Sequence, residues 1–318
     1  MTETKTQTVL VDKSMTGRER PWEKHKVANE YLSAAYEDVD PNKAERLKLC
    51  ATDLVFQYKE ADGGTHSKLV GAWFCRVRLC PVCTWRRSLK VAAQMHKIMG
   101  AIKADRKIAY ILVTLTVRNC LPEDLDQTIT QVLQGFNLLT RYAEVKRATL
   151  GFYRSMEITH NVEQDTYHPH IHAIFAVKPE YFKGRYYIKQ DRWVELWQRA
   201  AKLNYSPSVD VRKIKGDTAK AVAEVAKYAV KSEDYILPDD WDMTVDAVRL
   251  LNRVLHNRRF IAFGGIFKDY HKKLNLQDAE KGDLVNIDDD PLTEDSKDEG
   301  RLVRFAWFSG YRQYRQED

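Results

Sequence analysis

Three histidines alternate along Tyr167-His168-Pro169-His170-Ile171-His172-Ala173-Ile174-Phe175. Alternate side chains of a strand share a face, so the three imidazoles point the same way. An apolar run follows them directly, a costly neighbourhood for polar groups unless something uses them. Glu157 lies in the preceding apolar run, Met156-Glu157-Ile158. A hairpin between the two runs brings its carboxylate beside His170 and His172, with His168 as a further candidate ligand. This mixture of hard oxygen and borderline nitrogen suits Mg²⁺ or Mn²⁺, which would polarise a phosphate oxygen. Register decides the matter, because a slip of one residue turns Glu157 to the other face.

A second constellation lies in Ala223-Glu224-Val225-Ala226-Lys227-Tyr228-Ala229-Val230-Lys231. On a helix, Glu224, Tyr228 and Lys231 share one face. Tyr228 as a nucleophile must lose a proton from a phenol whose ordinary pKa is about 10, and a nearby metal or Lys231 favours the phenolate. Glu224 then serves as a base toward water or a terminal hydroxyl.

The third is Cys75-x4-Cys80-x2-Cys83 with Cys50 upstream, a full tetrahedral shell for structural Zn²⁺. Cys120 is left over as a free thiol. A zinc knot would fix Arg76, Arg78, Arg86, Arg87 and Lys90 in space, where they could grip phosphates.

The elements that must position these groups follow from periodicity and punctuation. Residues 108–117 read as a buried strand, 122–146 as a helix, and 151–159 and 168–177 as strands joined by a hairpin loop at 161–165. An amphipathic helix over 190–203 and a short strand over 207–212 complete the order βαββαβ. That order is the ferredoxin-like arrangement, an α+β fold with an antiparallel sheet and helices on one face. A helix over 218–231 carries Tyr228, and a helical segment over 246–256 precedes a Gly264-Gly265 interruption.

The chain has 318 residues, 44% hydrophobic and 30% charged, with a formal net charge of +6. That composition is globular, and the longest apolar stretch falls far below the ~20 residues of a membrane helix. No signal peptide pattern is present, so the expected location is cytoplasmic, without membrane partners. Basic residues concentrate between Arg76 and Lys107, whereas Asp278 to Glu299 is mostly acidic. Near the end, Arg304, Trp307, Tyr311, Arg312, Tyr314 and Arg315 interleave bases with aromatics. Docking against the core is their expected role, and stacking on single strands the alternative.

His170-Ile171-His172-Ala173-Ile174-Phe175 resembles the histidine-hydrophobic-histidine motif of the HUH endonuclease superfamily, and Tyr228-Ala229-Val230-Lys231 resembles its tyrosine motif. Leu112-Val113-Thr114-Leu115-Thr116 is similar to its first motif, a strand beneath the site. Within the superfamily, residues 50–235, including the phrase from Cys75 to Arg87, resemble the rolling-circle replication initiators of small Gram-positive plasmids, in the branch with one tyrosine preceded by a glutamate. The resemblance implies origin-specific nicking, a 5′-phosphotyrosine link at Tyr228 and a free 3′-OH that primes a polymerase. Glu224 stands where related phage initiators carry a second tyrosine, which implies termination by hydrolysis. Origin DNA is then the partner. Gly63-Gly64-Thr65-His66-Ser67-Lys68 lacks the spacing of a nucleotide-binding loop, so strand separation falls to a separate host helicase. Mobilisation relaxases and transposases share the chemistry, and a non-catalytic zinc-module regulator is the alternative from another class. The expected division is a weakly ordered arm (1–45), a zinc-binding DNA-contact module (46–104), a nicking domain (105–235), a helical extension (236–275), and an acidic linker with the basic-aromatic segment (276–318).

Overall fold

A computed structural model describes residues 8–14, 17–61, 64–216, 218–226, 229–287 and 300–317. The chain divides into two compact units, each assembled from distant stretches of sequence. The first comprises residues 1–90, 235–252 and 282–318, the second 91–234 and 253–281.

In the first unit, helices α1 (Trp22–Glu37) and α2 (Pro41–Leu49) precede strands β1 (Asp53–Ala61) and β2 (Gly64–Ala72). Asp40 caps α2 by accepting from the Lys43 backbone N–H, and Pro41 stands where no donor is needed. The weakly ordered arm expected over 1–45 is corrected from Trp22 onward, because α1 buries Trp22, Leu32, Ala35 and Tyr36, while residues 1–7 and 15–16 lie outside the described residues. Trp22 meets Phe56, Trp85 and Tyr314 edge-on. Two strands near the chain end, labelled β8 (Arg301–Phe308) and β9 (Gln313–Gln316) in chain order, complete an antiparallel sheet ordered β2-β1-β8-β9. Tyr314 is fully buried and donates to the Ala51 carbonyl at 2.6 Å. The basic-aromatic segment is thus an integral part of this sheet.

The second unit holds β3 (Ala109–Thr116), α4 (Leu125–Leu139), α5 (Ala143–Ala148), β4 (Thr149–Asn161), β5 (Thr166–Val177), α6 (Gln190–Ala200) and β6 (Val209–Lys213). After these come α7 (Ala219–Val225), β7 (Ile261–Gly265) and α9 (Ile266–Lys273). The remaining helices, α3 (Pro81–Asp105) and α8 (Trp241–Val254), have residues in both ranges. The sheet order is β6-β3-β5-β4-β7, every neighbour antiparallel. The first four strands follow the split βαββαβ arrangement, and β7 extends the sheet beyond β4. Glycines permit that extension: a Cβ on Gly151 would lie 2.5 Å from the Gly264 carbonyl oxygen, and Gly265 adopts φ +53°.

Helices cover both faces of this sheet, which corrects the expected one-sided packing. Phe152 and Phe175 meet Phe136 of α4, and Phe175 meets Trp193 of α6. On the other face Tyr153 and Ile174 share a cluster with Met95 and Ile98 of α3, Val222 of α7 and Phe267 of α9. Residues 173–177 are all buried, as a strand packed on two sides requires. The helix expected over 218–231 is also corrected, since α7 ends at Val225 and the chain reaches β4 instead, where Ile158 N–H donates to the Ala229 carbonyl at 2.6 Å. Among the described residues, no helix is long and apolar enough to cross a membrane.

Candidate metal centres and active site

The β4/β5 register pairs Glu157 directly with His170 and Ser155 with His172. Glu157, Ser155, His170 and His172 therefore share a face, the one packed against α3, α7 and α9. Ligand atoms of Glu157, His170 and His172 all lie within 4.8 Å of one another, and all three side chains are buried. Glu157 Oε2 stands 3.5 Å from His170 Nε2 and 3.2 Å from His172 Nε2. Ligands about 2.1 Å from a divalent ion and at right angles lie about 3 Å apart, so the set fits a small hard cation.

Both imidazoles are anchored from behind. His170 Nδ1 donates to the His168 carbonyl at 3.1 Å, and His172 Nδ1 faces Thr114 Oγ1 at 3.2 Å. With a metal bound, a proton on Nδ1 would leave each Nε2 lone pair for the ion; without one, Nε2 can instead donate to the Glu157 carboxylate. Thr114 belongs to the strand expected beneath the site, but its role behind His172 depends on the β3/β5 pairing Thr114↔His172, which sequence alone does not specify. His168 is half-buried and stacks on His170 with ring centroids 5.0 Å apart, outside the ligand cluster. Burial and the neighbouring His170 lower its pKa.

Glu157 carries a third partner. Its Oε1 accepts from Lys231 Nζ at 3.0 Å. Burial alone would raise the Glu157 pKa, but hydrogen bonds from His170, His172 and Lys231 and the ammonium charge hold it well below the carboxylate range. The same hydrogen bond raises the Lys231 pKa. Glu224 Oε1 lies 3.6 Å from His172 Nε2. The structure thus brings Glu224 and Lys231 to the histidines, although Lys231 follows the helix rather than sharing its face. Tyr228 lies outside the described residues. Sequence reasoning passed over Asp234, half-buried just beyond Lys231 with its pKa raised by burial. Its backbone carbonyl accepts from His160 Nδ1 at 3.0 Å, which ties this turn to β4.

In the first unit Cys50, Cys75, Cys80 and Cys83 converge, all buried and none in a disulfide. Cys50 Sγ lies 3.6 Å from both Cys80 Sγ and Cys83 Sγ, and Cys75 Sγ lies 3.7 Å from Cys83 Sγ. A tetrahedron with ~2.3 Å metal–sulfur bonds has an edge of about 3.8 Å, so the donor set fits Zn²⁺. Each sulfur also accepts a backbone N–H: Cys75 N–H to Cys50, Arg76 N–H to Cys83, Val77 N–H to Cys75 and Cys83 N–H to Cys80. Cys80 Sγ additionally lies 3.0 Å from Asn29 Oδ1. Cys120 stands apart from the cluster, half-buried against the Tyr167 carbonyl.

Of the five basic residues expected to grip phosphates, three are corrected. Arg86 is buried and donates to the Leu284 and Val285 carbonyls at 2.9 and 2.8 Å. Arg87 is buried against the Arg76 carbonyl, and Lys90 donates to the Asp283 carbonyl at 2.7 Å. All three donate to backbone carbonyls inside the unit, and Arg87 also acts electrostatically on Cys83. Arg76 is exposed and Arg78 half-buried.

Fold and sites together define an α+β protein with two candidate metal centres, one of nitrogen and oxygen donors on a ferredoxin-like sheet and one of four sulfurs. A family model described as Replication protein matches residues 66–315. Protein rep of Bacillus amyloliquefaciens is 40% identical, with 96% of this chain and 96% of that protein covered. Protein rep of Streptococcus pneumoniae serotype 2 is 36% identical, covering 96% and 95%, and that of Lactiplantibacillus plantarum 35% identical, covering 94% and 96%. No solved structure matches the chain. The chain belongs to this family of replication proteins.

Proposed function

We propose that the protein initiates rolling-circle replication of a plasmid by nicking one strand of the origin. The convergence of Glu157, His170 and His172, with Glu224 and Lys231 beside them, carries this reading. Mn²⁺ or Mg²⁺ held by the three ligands would supply Lewis acidity toward a phosphate oxygen. Tyr228 is the nucleophile: its oxygen bonds to phosphorus, the bond to the 3′ oxygen breaks, and a 5′-phosphotyrosine and a 3′-OH result. Supporting this role, described residues on both sides of it, Glu224 and Ala229, are held at the site.

Lys231 supplies positive charge near the phenol, and Glu224 accepts a proton from water in the hydrolysis that ends the cycle. Exchange of one phosphodiester for another conserves its energy, so the chain needs no nucleotide. A host helicase opens the duplex and a host polymerase extends the 3′-OH. Zn²⁺ at the four cysteines holds the first unit, from which Arg76 and Arg78 contact phosphate. The test is a denaturing gel of labelled single-stranded origin DNA incubated with Mn²⁺. Wild type should shift label onto protein and Tyr228→Phe should not. Tight binding by wild type without an adduct would move the reading to a non-catalytic regulator.

A further inference from the structure

Lys26 of α1 is 1% exposed, an uncommon place for an ammonium. Its Nζ donates to the Lys48 carbonyl at 3.0 Å, the Cys50 carbonyl at 2.6 Å and Thr52 Oγ1 at 3.3 Å. Three acceptors match the three donors of the charged form, whereas a neutral amine offers fewer. All three acceptors are themselves uncharged. Among the described residues, no carboxylate forms an ion pair with Lys26. A buried charge left to neutral dipoles alone is costly, so a negative group should lie close by.

Glu30 acts on Lys26 electrostatically, but the larger influence comes from Cys50 and Cys80 of the cysteine cluster. Cys50 supplies both the carbonyl that Lys26 grips and one of the four sulfurs. Four thiolates around a divalent ion carry two negative charges in excess, in a site whose ligands are all buried. We propose that Lys26 is a built-in counter-charge of the four-cysteine metal centre, a positioning residue that offsets part of that excess and holds the 48–52 turn from which Cys50 reaches the metal. The inference rests on the metal reading of the cysteines and not on the nicking reading. Outer residues of this kind set metal affinity, typically by about ten-fold to a hundred-fold.

The experiment titrates full-length protein with Zn²⁺ against a chromophoric chelator and follows Co²⁺ substitution by its thiolate-to-metal absorption. Lys26→Met should weaken Zn²⁺ binding by about ten-fold. A second variant, Cys75→His, exchanges one thiolate for a neutral imidazole and lowers the charge of the centre. In that background the Lys26→Met loss should shrink, because less charge remains to be offset. A loss of equal size in both backgrounds would overturn the inference and leave Lys26 a packing residue. Unchanged affinity in Lys26→Met would overturn it as well. Should Lys26→Met fail to fold, Lys26→Gln keeps donors for the carbonyls without the charge. If neither folds alone, recovery of folding with Cys75→His supports the proposal, and no recovery overturns it. Wild-type protein that takes up neither ion would remove the centre itself, with the nicking assay unaffected.

Discussion

Lys231 Nζ sits 3.0 Å from Glu157 Oε1, while the other oxygen of that carboxylate faces both histidines. One side chain therefore couples the candidate metal ligands to Lys231, which follows the proposed nucleophile Tyr228 in sequence. The coupling has a pH signature. A carboxylate whose folded pKa lies below its ordinary value near 4.5 stabilises the fold above that value and loses the contribution as pH falls. With a chelator present, wild type should lose stability steeply as pH drops from about 5 toward 3. Glu157→Gln should show a shallower acid limb in the same urea titrations. Identical slopes would mean that the carboxylate is not held by its partners.

Glu224 lies 3.6 Å from His172 and is 35% exposed at its side chain, open enough to meet water. Glu224→Ala should leave the first cleavage within about three-fold of wild type and slow release of the bound 5′ end by about a hundred-fold or more. Single-turnover assays of adduct formation and decay read the two steps separately. Equal loss of both would make Glu224 a positioning group for His172.

Arg86 is a structural cation. Losing it leaves the Leu284 and Val285 carbonyls without their donors, so Arg86→Ala should cost about 3 kcal/mol in denaturant unfolding. The salt slope of DNA binding, which counts phosphate contacts, should not change. A shallower slope at unchanged stability would restore the phosphate-gripping role.

The cysteine centre gathers Cys50 at the end of α2, Cys75 before α3 and Cys80 and Cys83 at its start. Metal there would tie three stretches of chain together, so its removal by a strong chelator should lower the melting temperature by on the order of 10 °C. Cys83→Ser should melt at the lower temperature with or without chelator. A chelator-insensitive melt of zinc-loaded wild type would refute a structural role.

Much of the site was legible because strand parity is strict. His170 and His172 had to share a face, and Glu157 joined them in the one register that keeps the flanking apolar residues buried. Helix α1 was hidden because its inward face carries Lys26, Asn29 and Ser33, which bond to backbone carbonyls and break the apolar period. Arg86, Arg87 and Lys90 read as surface charge because two of them find their acceptors nearly two hundred residues away, in a stretch without any motif. Two-sided packing was signalled after all by the unbroken apolar run over residues 173–177, which an alternating one-sided strand would not carry.

Tyr228 is the residue proposed to take the DNA. The most direct measurement is the mass of the protease-released peptide that remains linked to origin DNA after reaction with Mn²⁺. The predicted result is a single peptide containing Tyr228 and bearing a 5′-phosphonucleotide, absent when His170 and His172 are both replaced by alanine. A link at any other residue, or nicked DNA with no linked peptide, would contradict the account.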